Sequence, residues 1–159
     1  MTIKEYMKKT GVTKRKYVEN WIKEGLIPGV EKDKNTGELI FPRSARRPYR
    51  PRLKANSDAS VIRASILNAC LKREYISAKI YYMSDGEFLS LINDLLVAEL
   101  ISQRDEDGVT YYDSTIKSDT CRGKSIQTIR RFVIDCLGEV SERVSYGVTK
   151  ALCEEVKIA

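Results

Sequence analysis

Residues that stop regular structure interrupt the first fifty positions at short intervals, which restricts this stretch to short helices and a hairpin. Thr2 reads as an N-cap with Glu5 three positions on, the spacing of a capping box. Ile3, Tyr6 and Met7 then fall at i, i+3 and i+4 and make one apolar face, before Gly11 ends the helix and Val12 plugs the turn. Thr13 is expected to cap a second helix that buries Val18, Trp21, Ile22 and the following Leu26. The other face of that helix shows Lys14, Arg15, Lys16, Tyr17, Asn20 and Lys23, and Gly25 and Pro28 stop it. The result is two short helices joined by a tight turn.

The following GVEKDKNTGELIF has a polar tip between two short extended runs. Asn35 and Gly37 are expected to supply the positive φ that a hairpin turn needs. Beyond it, PRSARRPYRPR holds Arg43, Arg46, Arg47, Arg50 and Arg52, five arginines in eleven residues. Pro42, Pro48 and Pro51 keep that stretch from continuing as a regular helix.

Charge divides the chain sharply. Residues 1–54 carry 15 Lys and Arg against 6 Asp and Glu, a balance of +9, whereas the remaining 105 residues carry 13 against 16, a balance of −3. A basic module beside a mildly acidic one points to a polyanion as the partner of the first. Arg and Lys suit guanine O6 and N7, and the Asn20 amide suits adenine. Lys32 and Lys34 on the hairpin would reach flanking phosphates, where contacts position without specifying. The arginine-rich stretch would lie along phosphates or enter a minor groove.

TIKEYMKKTGVT, then VENWIKEGLIPG, a hairpin and FPRSARRPY together resemble the MerR/excisionase superfamily of winged helix-turn-helix domains. The residues carrying the resemblance are Thr2, Ile3, Glu5, Tyr6, Gly11, Val12, Thr13, Val18, Trp21, Ile22, Gly25, Ile27 and Pro28, with the ending Phe41, Pro42, Ala45, Arg47 and Pro48. It covers about 50 of the 159 residues. The resemblance implies a recognition helix over residues 14–23 and a wing at the hairpin. Between Thr13 and Val18 the chain has one residue more than the family's usual spacing, so the segment is implicated without its register.

Other chemistries find little support. There is no histidine, and Cys70, Cys121, Cys136 and Cys153 are far apart, so no zinc-ligand spacing exists. Missing histidine removes the commonest general base, and no glycine-rich phosphate loop is present. The chain is therefore expected to be no enzyme and to need no cofactor. No apolar run reaches the ~18–20 residues that span a bilayer. The start of the chain has no apolar signal core, so a cytoplasmic, nucleoid-associated protein is expected.

After a polar linker at residues 53–59, a second pattern begins. Val61, Ile62, Ile66, Leu67, Cys70 and Leu71 mark an amphipathic helix, and residues 77–83 a short second one. Ser84 or Asp85 would cap a third, burying Phe88, Leu91, Ile92, Leu95 and Leu96, ahead of an Asp-Gly hairpin within residues 100–112. Three helices and a hairpin are similar to many bacterial winged-helix modules. Yet the third helix would show Asp85, Glu87, Ser90, Asn93, Asp94 and Glu99, a surface that repels phosphate. DNA contact is thus expected in the first third alone.

Finally, Ile126, Ile129, Val133, Cys136, Leu137, Val140, Val144, Val148 and Leu152 recur at spacings of three and four. A helix of ~30 residues would run about 45 Å, as core, packing surface or dimer seam. The expected fold is mainly α with small β-hairpins (α+β). It comprises two tandem winged helix-turn-helix modules (1–52 and 60–115) and a C-terminal helical region (123–157). The expected function is sequence-specific double-stranded DNA binding by a homodimeric transcriptional regulator. The alternatives are an excisionase-type architectural recombination factor, and an adaptor or inhibitor that binds a partner protein through residues 60–157.

Overall fold

The computed structural model describes residues 1–51, 53 and 59–115. Helix α1 spans Ile3–Thr10 and α2 spans Arg15–Lys23. The Thr2 hydroxyl accepts from the Glu5 N–H at 3.2 Å and donates to the Glu5 carboxylate at 3.4 Å. The forward half of the capping box therefore forms, while the Glu5 side chain meets the hydroxyl instead of the Thr2 N–H. Gly11 sits in the left-handed region (φ 74°), and the Val12 N–H returns to the Met7 carbonyl at 3.1 Å. At the end of α2 the Gly25 N–H bonds Ile22 and the Leu26 N–H bonds Trp21, a Schellman closure that turns Leu26 into the core.

Two expectations for the first half are corrected. Thr13 does not cap α2: the residue preceding the helix is Lys14, extended and without a side-chain cap bond. Because α2 starts at Arg15, Thr13 lies one position too early for its hydroxyl to meet the first-turn donors. In the first hairpin, β1 (Glu31–Lys32) pairs antiparallel with β2 (Leu39–Ile40), and Gly37 takes positive φ (71°) whereas Asn35 does not. The Asn35 N–H instead donates to the Asp33 carboxylate at 2.9 Å, an Asx turn that needs no left-handed residue.

The second half begins with α3 (Ala59–Leu71), which takes the last residue of the expected linker into its first turn. Residues 77–83 form no helix. The Ile80, Tyr81 and Tyr82 N–H groups bond the carbonyls three residues back, and Tyr82 turns left-handed (φ 53°). The left-handed Tyr82 is incompatible with a continuing helix, and the successive turns still bury Ile80 and Tyr81. Helix α4 (Asp85–Val97) is capped by Ser84, whose hydroxyl accepts from the Glu87 N–H, and it buries Phe88, Leu91, Ile92 and Leu95. Strands β3 (Ile101–Glu106) and β4 (Val109–Ser114) then pair in register about Asp107 and Gly108, both at positive φ (54° and 73°). Such a pair of left-handed residues marks the two-residue turn that matches strand twist.

The described residues are therefore an α+β mixture of four helices and two small antiparallel sheets. None of their helices is long and apolar enough to cross a membrane. The helical region expected at 123–157 lies outside the described residues.

Buried side chains from both halves form one cluster, running from Tyr6, Val18 and Phe41 to Ile66, Leu67, Ile92 and Leu95. Tyr6 stacks on Phe41 with ring centroids 4.7 Å apart, and its hydroxyl donates to the Arg46 carbonyl. The segment after β2 crosses between the halves. The Tyr49 N–H donates to the Tyr75 carbonyl and the Tyr75 N–H to the Arg47 carbonyl, on either side of a parallel bridge at Pro48, and the Asn68 amide donates to the Tyr49 hydroxyl at 2.9 Å. Ser44, almost fully buried, donates to the Asp107 carboxylate at 2.6 Å and lies 3.1 Å from the Tyr111 hydroxyl. The arginine-rich stretch is thus a strap between halves.

Candidate nucleic-acid interface

Helix α2 shows which of its side chains face outward. Val18 and Trp21 are buried and Ile22 half-buried, so a 100° step per residue puts Lys16, Asn20 and Lys23 along the opposite, outward line. All three are exposed. Arg15 lies on one flank, paired with Glu19 at 2.9 Å, an exposed i,i+4 contact. Tyr17 lies on the other, half exposed, with the Lys14 Nζ 5.8 Å from its ring. Thr13 is exposed in the preceding turn. Exposed pairs of the Arg15–Glu19 kind are worth roughly 0.2–1 kcal/mol. Exchanging Glu19 for a phosphate therefore costs Arg15 little.

The first hairpin projects Lys32 and Lys34 into solvent, but it also carries Glu31, Asp33 and Glu38. Asp33 is occupied by the turn itself, accepting from Asn35 through its side chain and from Gly37 through its carbonyl. The lysines therefore sit on a hairpin without a positive surplus, suited to individual phosphate contacts and not to a strong field.

The five arginines beyond the hairpin separate into different environments. Arg43 and Arg47 are exposed, the Arg47 guanidinium lying 5.8 Å from the Trp21 ring. Arg50 is exposed and meets Glu24 at 3.2 Å. Arg52 lies outside the described residues. Arg46 is the exception: its side chain is only 9% exposed, its guanidinium lies 2.8 Å from Asp113 and 4.8 Å from the Tyr111 ring, and it donates to the Tyr112 carbonyl. It serves the junction with the β3–β4 hairpin.

Sequence reading overlooked three further cations. Lys9 donates to the carbonyls of Arg43 and Ala45 (2.5 and 3.1 Å), and burial, then Arg46, hold its pKa below the usual lysine range. Lys72 and Arg73, just past α3, stand exposed near Arg47 around a common cleft. Their only signal was a Lys-Arg pair in an otherwise acidic half. On α4, Asp85, Glu87, Ser90, Asn93 and Asp94 are exposed, as is Glu99 just beyond it, and Arg63 neutralises Asp94 alone at 2.8 Å.

The described residues hold no group of three or more His, Cys, Asp or Glu able to bind a metal. Cys70 is buried, and burial pushes its thiol up to about 12. No family model, curated protein or solved structure matches the chain.

Proposed function

We propose that the protein is a sequence-specific double-stranded DNA-binding protein, a transcriptional regulator acting as a homodimer. In this reading residues 1–52 are a winged helix-turn-helix of the MerR/excisionase kind, with α2 in the major groove and the β1–β2 hairpin as its wing. Residues 60–115 repeat the plan with a turn in place of the middle helix, and act in packing or protein contact. The observation that carries the reading is the outward line Lys16, Asn20 and Lys23, held solvent-facing by the burial of Val18 and Trp21 beneath it. Long donors on a rigid helix are what base edges and phosphates require. Lys14, Arg15, Lys32, Lys34, Arg43, Arg47 and Arg50 supply backbone contacts around it, and Arg46 serves the fold. The homodimer rests on the apolar stripe of residues 126–152, because one small module reads few base pairs.

Selection of bound duplexes from a random pool tests this directly, and a two-fold symmetric site is the expected product. Affinity for it should fall with salt at a log–log slope of about −0.9 per phosphate contacted. Asn20→Ala should weaken the selected site by roughly 1–3 kcal/mol and relax preference at one base. A pool that returns no enriched sequence, or binding indifferent to salt, overturns the proposal.

A further inference from the structure

Where the two halves meet, an open cleft of about 250 Å³ is lined by Lys9, Thr10, Ala45, Arg46, Arg47, Lys72, Arg73 and Glu74. Three chain segments build it: the end of α1, the strap after β2, and the loop after α3. Arg46 is neutralised by Asp113. Among the described residues Lys9 donates to two carbonyls, which leave its charge intact. Four cations that form no ion pair with a described residue (Lys9, Arg47, Lys72 and Arg73) thus line the cleft with one carboxylate, Glu74, a surplus of three positive charges among these five residues. Neither Lys72 nor Arg73 forms an ion pair with a described residue. Like charges gathered around a concave wall repel one another until an anion enters. Burial, then Arg46, lower the Lys9 pKa against an opposing pull from Glu106.

Arg73 is itself held against its preference. The Arg73 N–H bonds the Cys70 carbonyl and the Glu74 N–H bonds the Ala69 carbonyl, a Schellman closure with Arg73 at the left-handed position (φ 55°) that glycine favours. A non-glycine residue pays a backbone cost in this position, and here that residue is a long cation that lines the cleft. Size then limits the occupant. At about 250 Å³ the open cleft is smaller than the ~300–1,000 Å³ of pockets that bury a drug-sized ligand.

We propose that this cleft binds a phosphate group, held between Lys9 and Arg47 on one wall and Lys72 and Arg73 on the other. The group is carried by the backbone of a bound duplex or by a free phosphorylated small molecule. The duplex source rests on the DNA-binding reading and would extend contact into the second half of the chain. The free source is independent of that reading.

The test uses the full chain and the double variant Lys72→Ala/Arg73→Gly, with Glu99→Gly as control, because Glu99 holds the equivalent left-handed position after α4 (φ 59°) away from the cleft lining. Relief of a left-handed side chain should leave each variant folded and raise Tm by about 2–4 °C per glycine. Sodium pyrophosphate, compared with sodium chloride at equal ionic strength, is the free probe. If the source is free, pyrophosphate raises the Tm of the wild type and of Glu99→Gly but not of the double variant. If the source is the duplex, the double variant lowers the salt slope of duplex binding by about 0.9 per lost phosphate, while Glu99→Gly leaves it unchanged. The proposal is overturned when pyrophosphate gives no rise beyond chloride and the double variant keeps the wild-type slope. Should no duplex bind at all, the pyrophosphate result alone decides.

Discussion

Replacing Arg46 by alanine separates a structural arginine from a DNA-contacting one. In the fold its guanidinium sits 2.8 Å from Asp113, 4.8 Å from the Tyr111 ring and 3.4 Å from the Tyr112 carbonyl, with its side chain 9% exposed. Removing one partner of a buried ion pair costs about 3–5 kcal/mol, because the other charge stays buried and unpaired. Asp113 is 25% exposed and keeps Arg104 at 3.2 Å, which brings the ion-pair loss down to about 2 kcal/mol. The lost stacking on Tyr111 adds about 0.5–1 kcal/mol. A loss of about 2–3 kcal/mol is therefore expected in urea unfolding, read as a lower midpoint at unchanged slope. The second variant, Arg46→Met with Asp113→Leu, replaces the pair by apolar side chains and should recover most of that loss. Duplex binding by folded Arg46→Ala should keep the wild-type salt slope. The opposite pattern, a stability change within about 0.5 kcal/mol with a slope reduced by about one phosphate, would refute the assignment of Arg46 to the junction.

Thr2→Ala should cost about 1 kcal/mol in thermal unfolding, the usual worth of an N-cap, whereas Thr13→Ala should cost almost nothing because its hydroxyl caps no helix. Two hydrogen bonds from Ser44 hold the Asp107 carboxyl below the ordinary aspartate value. A depressed folded pKa adds stability above the unfolded value of about 3.8 that is lost as pH falls through the lower folded one. Asp107→Asn keeps a residue tolerant of the left-handed turn. Acid titrations of unfolding free energy should therefore be shallower below pH ~4 in this variant than in the wild type; equal slopes would contradict the Ser44 contact. Cys70, buried with its thiol pushed up to about 12, should escape alkylation at pH 8 in the folded protein and react in denaturant. Peptide mapping of the labelled chain distinguishes it from the other three cysteines.

Most element ends were readable from local chemistry. Gly11 and Gly25 close their helices with the left-handed geometry that glycine permits. Ser84 caps α4, and the Asp107-Gly108 turn sets the register of β3 and β4. The failures were also local, and each has a reason. Lys14 precedes α2 where Thr13 was expected, because the chain stays extended for one residue more before the helix starts at Arg15. Residues 77–83 remain a series of turns, since burial of Ile80 and Tyr81 needs no regular helix. Asn35 stays at negative φ because Asp33 supplies the bend through its side chain.

The candidate site was less legible. Five arginines in one basic run look alike, and charge counting treats them as one surface. Which of them faces solvent depends on residues more than sixty positions away, as when Asp113 and Tyr112 claim Arg46. The same folding brings Lys72 and Arg73 beside Lys9 and Arg47, although they lie in the acidic half. By itself the sequence determined most of the helix and hairpin ends and which third of the chain is basic, because capping, turns and amphipathic spacing act within about four residues. Only tertiary structure decided which cations remain free to meet a partner. Burial and ion pairing depend on distance in space, and chain position does not encode it.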